Sequence, residues 1–533
     1  MKGMARFWLF IAVTCTIFLI FAFPFQKMGI DSHFFEVLYQ LKTVDSWSAI
    51  WSTESIQSYY PLNEIISDSP YIYFYRPILQ SLHALELHLF GNWWLGYIFC
   101  SLLFFALTAG VLAVVFSYFY SFLDAIILIA LYVVHPALSP AFLSITALFS
   151  AAYFLLALSL LCFIWYSQKR ESIFYILSLF LYLASILTYE CLIIATPLLC
   201  LFWFLFNYLK WYEILPFFCL TGAWIGVRFL LIGTSHSLQF SLSSYVQAAS
   251  MNFMQMLKPF WGLGYSSPLV ALSISMLFCV WVGYHYLHEK KDRRLILWLV
   301  LSFIITMAVF LLSGSAIIFC LGLPFFVLLI HLLLSHVFSN RSAQYLLLCI
   351  ILFSGLRTFE NFVNREQFTN ARDIALHEVL SHYPSKKYIF LIAPHECKHQ
   401  TFLLSSGLEQ ALRFLSQDDD LMLYYFQKVS LCTNSFPSEG MIEVYTIDEG
   451  YRLQVTDPKR IWFSVPHDIQ KIEGALGSVF INHRISSCKA TDISIFLKSE
   501  YRKKEFIDTV VIFSWDPSMW KFVPVEKEHL VKI

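Results

Sequence analysis

Charge is what this sequence has least of. Only 14% of its 533 residues are Asp, Glu, Lys or Arg, against about a quarter in soluble domains. So few charges cannot clothe a water-facing surface for a chain of this length, which excludes an ordinary soluble fold. The charges present cancel, 36 basic against 36 acidic, so nucleic acid and acidic substrates have no electrostatic footprint here. Cysteine provides no disulfide framework. Nine of the 12, from Cys15 to Cys349, lie in apolar runs, where a free thiol behaves as a small hydrophobe. Cys397, Cys432 and Cys488 fall in the polar tail, an odd number that allows at most one internal bridge. Repeats and low-complexity segments are missing. Small residues are missing too where a signal peptidase would cut after the first apolar run, at Phe23-Pro24-Phe25. That run is therefore read as a retained anchor.

What is present is apolar: 58% hydrophobic residues, 18% aromatic ones and a mean hydropathy of +0.64. Stretches of bilayer length recur up to Arg357. The first is Phe7 to Phe25, and others centre near Leu107, Leu128, Leu156, Leu181, Leu199, Gly222, Met276, Ile304, Val327 and Leu348. The expectation is an α-helical polytopic membrane protein of about eleven crossings. Lys169-Arg170, Lys210, Lys290-Lys291, Arg293-Arg294 and Arg341 fall on the side of Lys2 and Arg6, while the opposite short loops nearly lack Lys and Arg. The positive-inside rule then places the N-terminus in the cytoplasm. An odd number of crossings places the first long loop, 26–76, and the tail outside it.

From Phe359 the composition turns polar. Residues 1–358 read as the transmembrane domain and 359–533 as a small, mainly-β (α+β) extracytoplasmic domain of mostly antiparallel strands. Strand patterns cover Lys387 to Ala393, Ile442 to Ile447, Tyr451 to Val455, Arg460 to Val465, Ser478 to Ile485 and Thr509 to Ser514, with a short helix at Gly407 to Leu415. Asp448-Glu449-Gly450 and Asp516-Pro517 read as turns.

Several residues could carry chemistry. Asp31 follows the first span closely, so its carboxylate can serve as a base at the membrane surface or cap the segment His33 to Leu41. Arg76, before Pro77 at a helix start, suits a phosphate and equally a snorkelling anchor. His83 and Glu86 share a helix face at i,i+3, as metal ligands or as a polar stripe. Glu190 and Arg228 lie in or at the edge of apolar spans, where ionisable groups face a cavity or each other. His135-Pro136 marks a helix end. His395-Glu396-Cys397-Lys398-His399 fits H-E-x-x-H, a zinc-peptidase pattern, with no extended metzincin sequence after it and only Glu409 or Asp418 as further ligands.

The order of Asp31, Tyr75-Arg76-Pro77-Ile78-Leu79 running to Leu89-Phe90-Gly91, His135-Pro136, Thr188-Tyr189-Glu190 with Pro197, and Arg228 with Gly233 resembles the GT-C superfamily of polyprenyl-phosphate-dependent glycosyltransferases. The likeness spans roughly residues 1–358 and looks closest to the protein O-mannosyltransferase-like branch with its bacterial relatives. Ser32 stands where relatives often have a second acidic residue, and Tyr189 where a Lys is common. The resemblance implies an inverting transferase with Asp31 as base, Arg76 and Arg228 on the donor phosphate, and Glu86, His83, Glu190 and His135 as supporting polar residues. It implies a polyprenyl-phosphate sugar as donor, a glycan or protein as acceptor, no required cofactor, an open question over a divalent metal, and no nucleic acid. The expected setting is a bacterial inner membrane, with the C-terminal domain periplasmic. Two alternatives stand beside it: a non-catalytic transporter or assembly protein for lipid-linked glycans, and a membrane-anchored zinc peptidase built on His395 and His399.

Overall fold

The computed structural model describes residues 2–26, 41, 47–51, 76–91, 93–135, 149–206, 210–232, 280–288, 293–313, 319–338 and 340–382. In the tail it describes 388–392, 422–425, 430–433, 442–447, 450–455, 461–464, 470–473, 477–486, 489–497, 511–516 and 521–524. The chain divides into two compact units, residues 1–28 with 74–365 and residues 29–73 with 366–533.

The first unit is a helical bundle. Its helices are α1 (Lys2–Gln26), α2 (Pro77–Phe90), α3 (Trp94–Phe119), α4 (Phe122–Val133), α5 (Phe149–Lys169), α6 (Ser172–Thr188), α7 (Ala195–Phe206), α8 (Trp211–Ile232), α9 (280–288), α10 (Arg293–Ser313), α11 (Phe319–Val337) and the first part, to residue 365, of α12 (Asn340–His382). Met4–Ala22, Leu95–Phe119, Ser150–Lys169 and Arg341–Glu360 are long and apolar enough to cross a membrane, and Phe122–Val133, Ser172–Thr188, Leu192–Phe202 and Leu323–Val337 are shorter apolar helices. Ten of the expected stretches are centred on residues that lie in helices here; the one near Met276 is centred outside the described residues and reaches them at α9. α12 is longer than its apolar part, continuing past Phe359 to His382.

Packing explains the order. Two thirds of the apolar window of α3 (67%) is buried, more than in any of the other three long spans, so α3 is the hub. Ile98, Leu102, Ala106, Ala109 and Ala113 form its inner face, and the small residues let α1 and α5 approach closely. On the outside, Leu19, Phe180, Leu230 and Leu352 stand exposed, as lipid-facing side chains of a membrane bundle do.

Basic side chains gather where α3 ends. The Arg6 guanidinium lies 3.5 Å from the Tyr118 ring centroid and its Nε donates to Ser117 Oγ (3.3 Å). Trp165 Nε1 donates to the Tyr118 hydroxyl (2.7 Å), joining the end of α5 to this group. Just beyond, Arg170 and the Tyr166 hydroxyl both donate to Glu213 Oε1, and the Lys210 backbone N–H donates to Glu213 Oε2. At the start of α4, Ser121 accepts from the Asp124 N–H as an N-cap. Asp124 Oδ1 in turn accepts from Gln344 (3.0 Å) and faces His331 Nε2 (3.5 Å).

The tail unit holds two sheets. One has four strands in the order β11 (Lys521–Pro524), β10 (Val511–Asp516), β1 (Tyr388–Ile392), β2 (Met422–Tyr425), with β1 parallel to both β10 and β2. The strands of the tail pair mostly antiparallel, as expected, and this parallel core is the exception among the described pairings; β1, Tyr-Ile-Phe-Leu-Ile, is a continuous apolar run of the kind parallel strands use. The other sheet is antiparallel. It builds on β9 (Lys489–Leu497), which pairs with β8 (Gly477–Ser486), β5 (Gly450–Val455) and β6 (Ile461–Ser464); β4 (Ile442–Ile447), β3 (Ser430–Thr433) and β7 (Lys471–Glu473) extend it. Tyr451, Leu453, Val455, Val479, Ile493, Ile495 and Leu497 alternate onto its buried face. On the other face Arg452 forms a side-on pair with Asp492, whose Oδ1 also accepts from Asn482 Nδ2 (2.7 Å).

Candidate functional site

α2 starts at Pro77, whose fixed φ suits a first helical position and whose missing N–H costs nothing there. It ends at Gly91, in the left-handed region at φ 51°, where glycine is the residue without strain. The Tyr97 hydroxyl donates to the Gly91 carbonyl (2.7 Å) and fixes the turn into α3. Leu79 packs with Ala151 on α5, and Leu82 and Phe104 close this contact. α2 thus lies at the end where α3 begins, opposite the basic cluster at the end of α3.

The buried face of α2 is polar. Gln80, His83 and Glu86 repeat every third residue and are 3%, 1% and 4% exposed. His83 Nδ1 lies 3.0 Å from Glu86 Oε2, so the two residues joined by sequence spacing pair with each other. Glu86 Oε1 and Gln80 Oε1 are buried with no hydrogen-bond partner among the described residues. Sequence reasoning passed over Gln80; its i,i+3,i+6 register with His83 and Glu86 was the available signal.

Arg76 precedes this face. Its guanidinium carbon stands 4.8 Å from the centroid of the Tyr189 ring, within cation–π range. Tyr189 ends α6 in an extended conformation, φ −150° and ψ 110°, before the 3₁₀ turn Glu190–Ile194. Two motifs more than a hundred residues apart therefore meet at one edge of the bundle. His135, just past α4, is 1% exposed and meets Phe326 of α11 edge-on at 6.4 Å. Beside it Thr358 Oγ1 donates to the Val134 carbonyl (2.7 Å), tying α12 to the same helix end. Arg228 is part-exposed near the end of α8 and makes no ion pair or hydrogen bond with the described residues. Asp31, the side chain of Glu190, His395 and His399 lie outside the described residues. Among the described residues no group of three or more His, Cys, Asp or Glu side chains could hold a metal ion.

Bundle and sheets together define the class: a helical, polytopic membrane protein with a mainly-β C-terminal part. Neither a protein-family model nor a curated protein matches the sequence. Among solved structures the chain is similar to ArnT from Cupriavidus metallidurans bound to undecaprenyl phosphate, at 9% identity and a TM-score of 0.39, over 80% of this chain and 92% of that one. It is similar also to ArnT of the same organism in the apo state, at 12% identity and a TM-score of 0.34, over 81% and 93%.

Proposed function

We propose that this protein is a GT-C-type glycosyltransferase of a bacterial inner membrane. It moves a sugar from a polyprenyl-phosphate donor to a glycan or protein acceptor on the outer face, with inversion at the anomeric carbon. The acceptor hydroxyl gives its proton to Asp31 and forms the new bond to that carbon. The bond to the lipid phosphate breaks, and the phosphate leaves with the bonding electron pair. Negative charge grows on that phosphate, so guanidinium groups placed there before the reaction lower the barrier. Arg76 and Arg228 have this role, and Glu86, His83, Glu190 and His135 shape the surrounding polar edge.

The supporting observation is the contact of Arg76 with Tyr189. It unites two of the motifs on which the resemblance rests, at the bundle end away from the basic cluster. That end faces outward under the positive-inside rule. The test is direct. The purified full chain is reconstituted with a panel of undecaprenyl-phosphate sugars and candidate acceptor glycans, and release of undecaprenyl phosphate is measured. Turnover that falls a hundredfold or more in Asp31→Asn, the scale of a lost general base, is the expected result. No turnover across the panel, combined with full restoration of a deletion strain by Asp31→Asn, sinks the enzyme and favours a non-catalytic carrier of lipid-linked glycans.

A further inference from the structure

We propose that Tyr189 is a positioning residue: its ring holds the Arg76 guanidinium in the orientation that receives a lipid phosphate. This rests on the donor-phosphate reading above. A free arginine side chain samples many rotamers, and ordering it on binding weakens affinity. A fixed platform beneath the guanidinium removes much of that loss beforehand.

Tyr189 has the properties of such a platform. The residue is 2% exposed, and a tyrosine has few rotamers to lose. Its backbone is held on both sides: its N–H donates to the Ser185 carbonyl (2.9 Å), and its carbonyl accepts from Leu192 N–H (3.1 Å). The ring therefore sits between the last turn of α6 and the 3₁₀ turn, with little freedom to follow Arg76. The contact at 4.8 Å acts on the cation's charge and takes up none of its N–H donors. Those donors are what binds phosphate in a two-pronged manner. Pro77 at the first position of α2 fixes the backbone after Arg76 in the same way. Arg76 is thus restrained from its own helix and from α6.

The experiment measures binding of undecaprenyl phosphate, and of undecaprenol as the phosphate-free control, to the purified full chain in detergent. Tyr189→Met keeps bulk and loses the ring, with Tyr189→Leu in its place if the Met variant does not fold. Tyr189→Phe keeps the ring. The expected result is undecaprenyl phosphate binding about three- to tenfold weaker in Tyr189→Met. Tyr189→Phe binds like the native chain, and undecaprenol binding is unchanged in both. In an Arg76→Gln background, Tyr189→Met adds no further loss, because the ring acts only through the guanidinium. Equal weakening for both lipids, a loss in Tyr189→Phe as large as in Tyr189→Met, or full additivity with Arg76→Gln overturns the proposal and leaves Tyr189 a packing residue. If Arg76→Gln itself leaves undecaprenyl phosphate binding intact, the donor-phosphate reading fails, whatever Tyr189 does.

Discussion

Nδ1 of His83 stands 3.0 Å from Oε2 of Glu86, one turn further along α2, and both side chains are buried. Losing one partner of a buried hydrogen-bonded pair leaves the other's polar atoms unsatisfied, a change that costs about 1–3 kcal/mol. His83→Ala is therefore expected to lower the thermal unfolding midpoint of the detergent-solubilised chain markedly. Glu86→Gln, which keeps an acceptor oxygen for His83, lowers it less. If the two variants unfold together at the native temperature, the pair contributes nothing to the fold.

At the opposite end of the bundle the ranking of two partners is reversed by exposure. Glu213 is buried and accepts from Tyr166, Arg170 and the Lys210 N–H, whereas the Arg170 side chain is 51% exposed. Glu213→Ala strands several donors and is expected to cost about 2 kcal/mol, while Arg170→Ala costs no more than about 1 kcal/mol. Arg170 also sits at φ 59°, in the left-handed region, which costs a side-chain-bearing residue about 1 kcal/mol. Arg170→Gly therefore unfolds at a higher temperature than Arg170→Ala, although both lose the same ion pair. Equal midpoints for Gly and Ala would show that the backbone conformation carries no strain.

Much of the bundle was legible because bilayer spans declare themselves as apolar runs about 20 residues long. The stretches around Leu107, Leu156 and Leu348 lie within α3, α5 and α12. The tail was harder. β4 and β5 follow alternating patterns on either side of a turn, but in β9, the strand on which its sheet is built, the alternation of Ile493, Ile495 and Leu497 is short and begins beside an aspartate. Asp492 and Ser494 disfavour a strand locally, and only the pairing of Asp492 with Arg452 and Asn482, 40 and 10 residues away, makes that position stable. The far end of α12 was equally hidden, since from Phe359 onward Glu360, Asn361, Asn364, Arg365, Glu366 and Gln367 interrupt the apolar run that marks the rest of the helix. At the candidate site, Arg76, His83, Glu86 and Tyr189 were visible one at a time. Their pairing was not, because contacts between helices depend on packing that no local pattern records.

The β4–β5 turn gives a sharp test of the tail. A Cβ on Gly450 would lie 1.9 Å from the Ile495 carbonyl oxygen, in the backbone of the neighbouring strand. Backbone cannot yield as a flexible side chain does, so Gly450→Ala must separate β5 from β9. Amides of β9 and β5 are expected to exchange with deuterium at least tenfold faster in the full-length variant, while the bundle amides are unchanged. Native protection in β9 would mean that the strands do not approach as closely as this.

Arg228 separates a functional from a structural role most cleanly. It lies in an apolar helix, is part-exposed, and makes no ion pair or hydrogen bond with the described residues. A guanidinium within an apolar span costs free energy unless something compensates it. Arg228→Gln should therefore leave the thermal midpoint of the lipid-free chain unchanged or raise it. If Arg228 holds the donor phosphate, the same substitution removes charge-assisted hydrogen bonds of about 1.5–3 kcal/mol. That corresponds to undecaprenyl phosphate binding weaker by about tenfold or more. Undecaprenol, which has the chain but not the phosphate, should bind both proteins alike. A lowered midpoint with unchanged phosphate-lipid affinity would make Arg228 a structural residue and leave Arg76 as the sole guanidinium proposed for the donor.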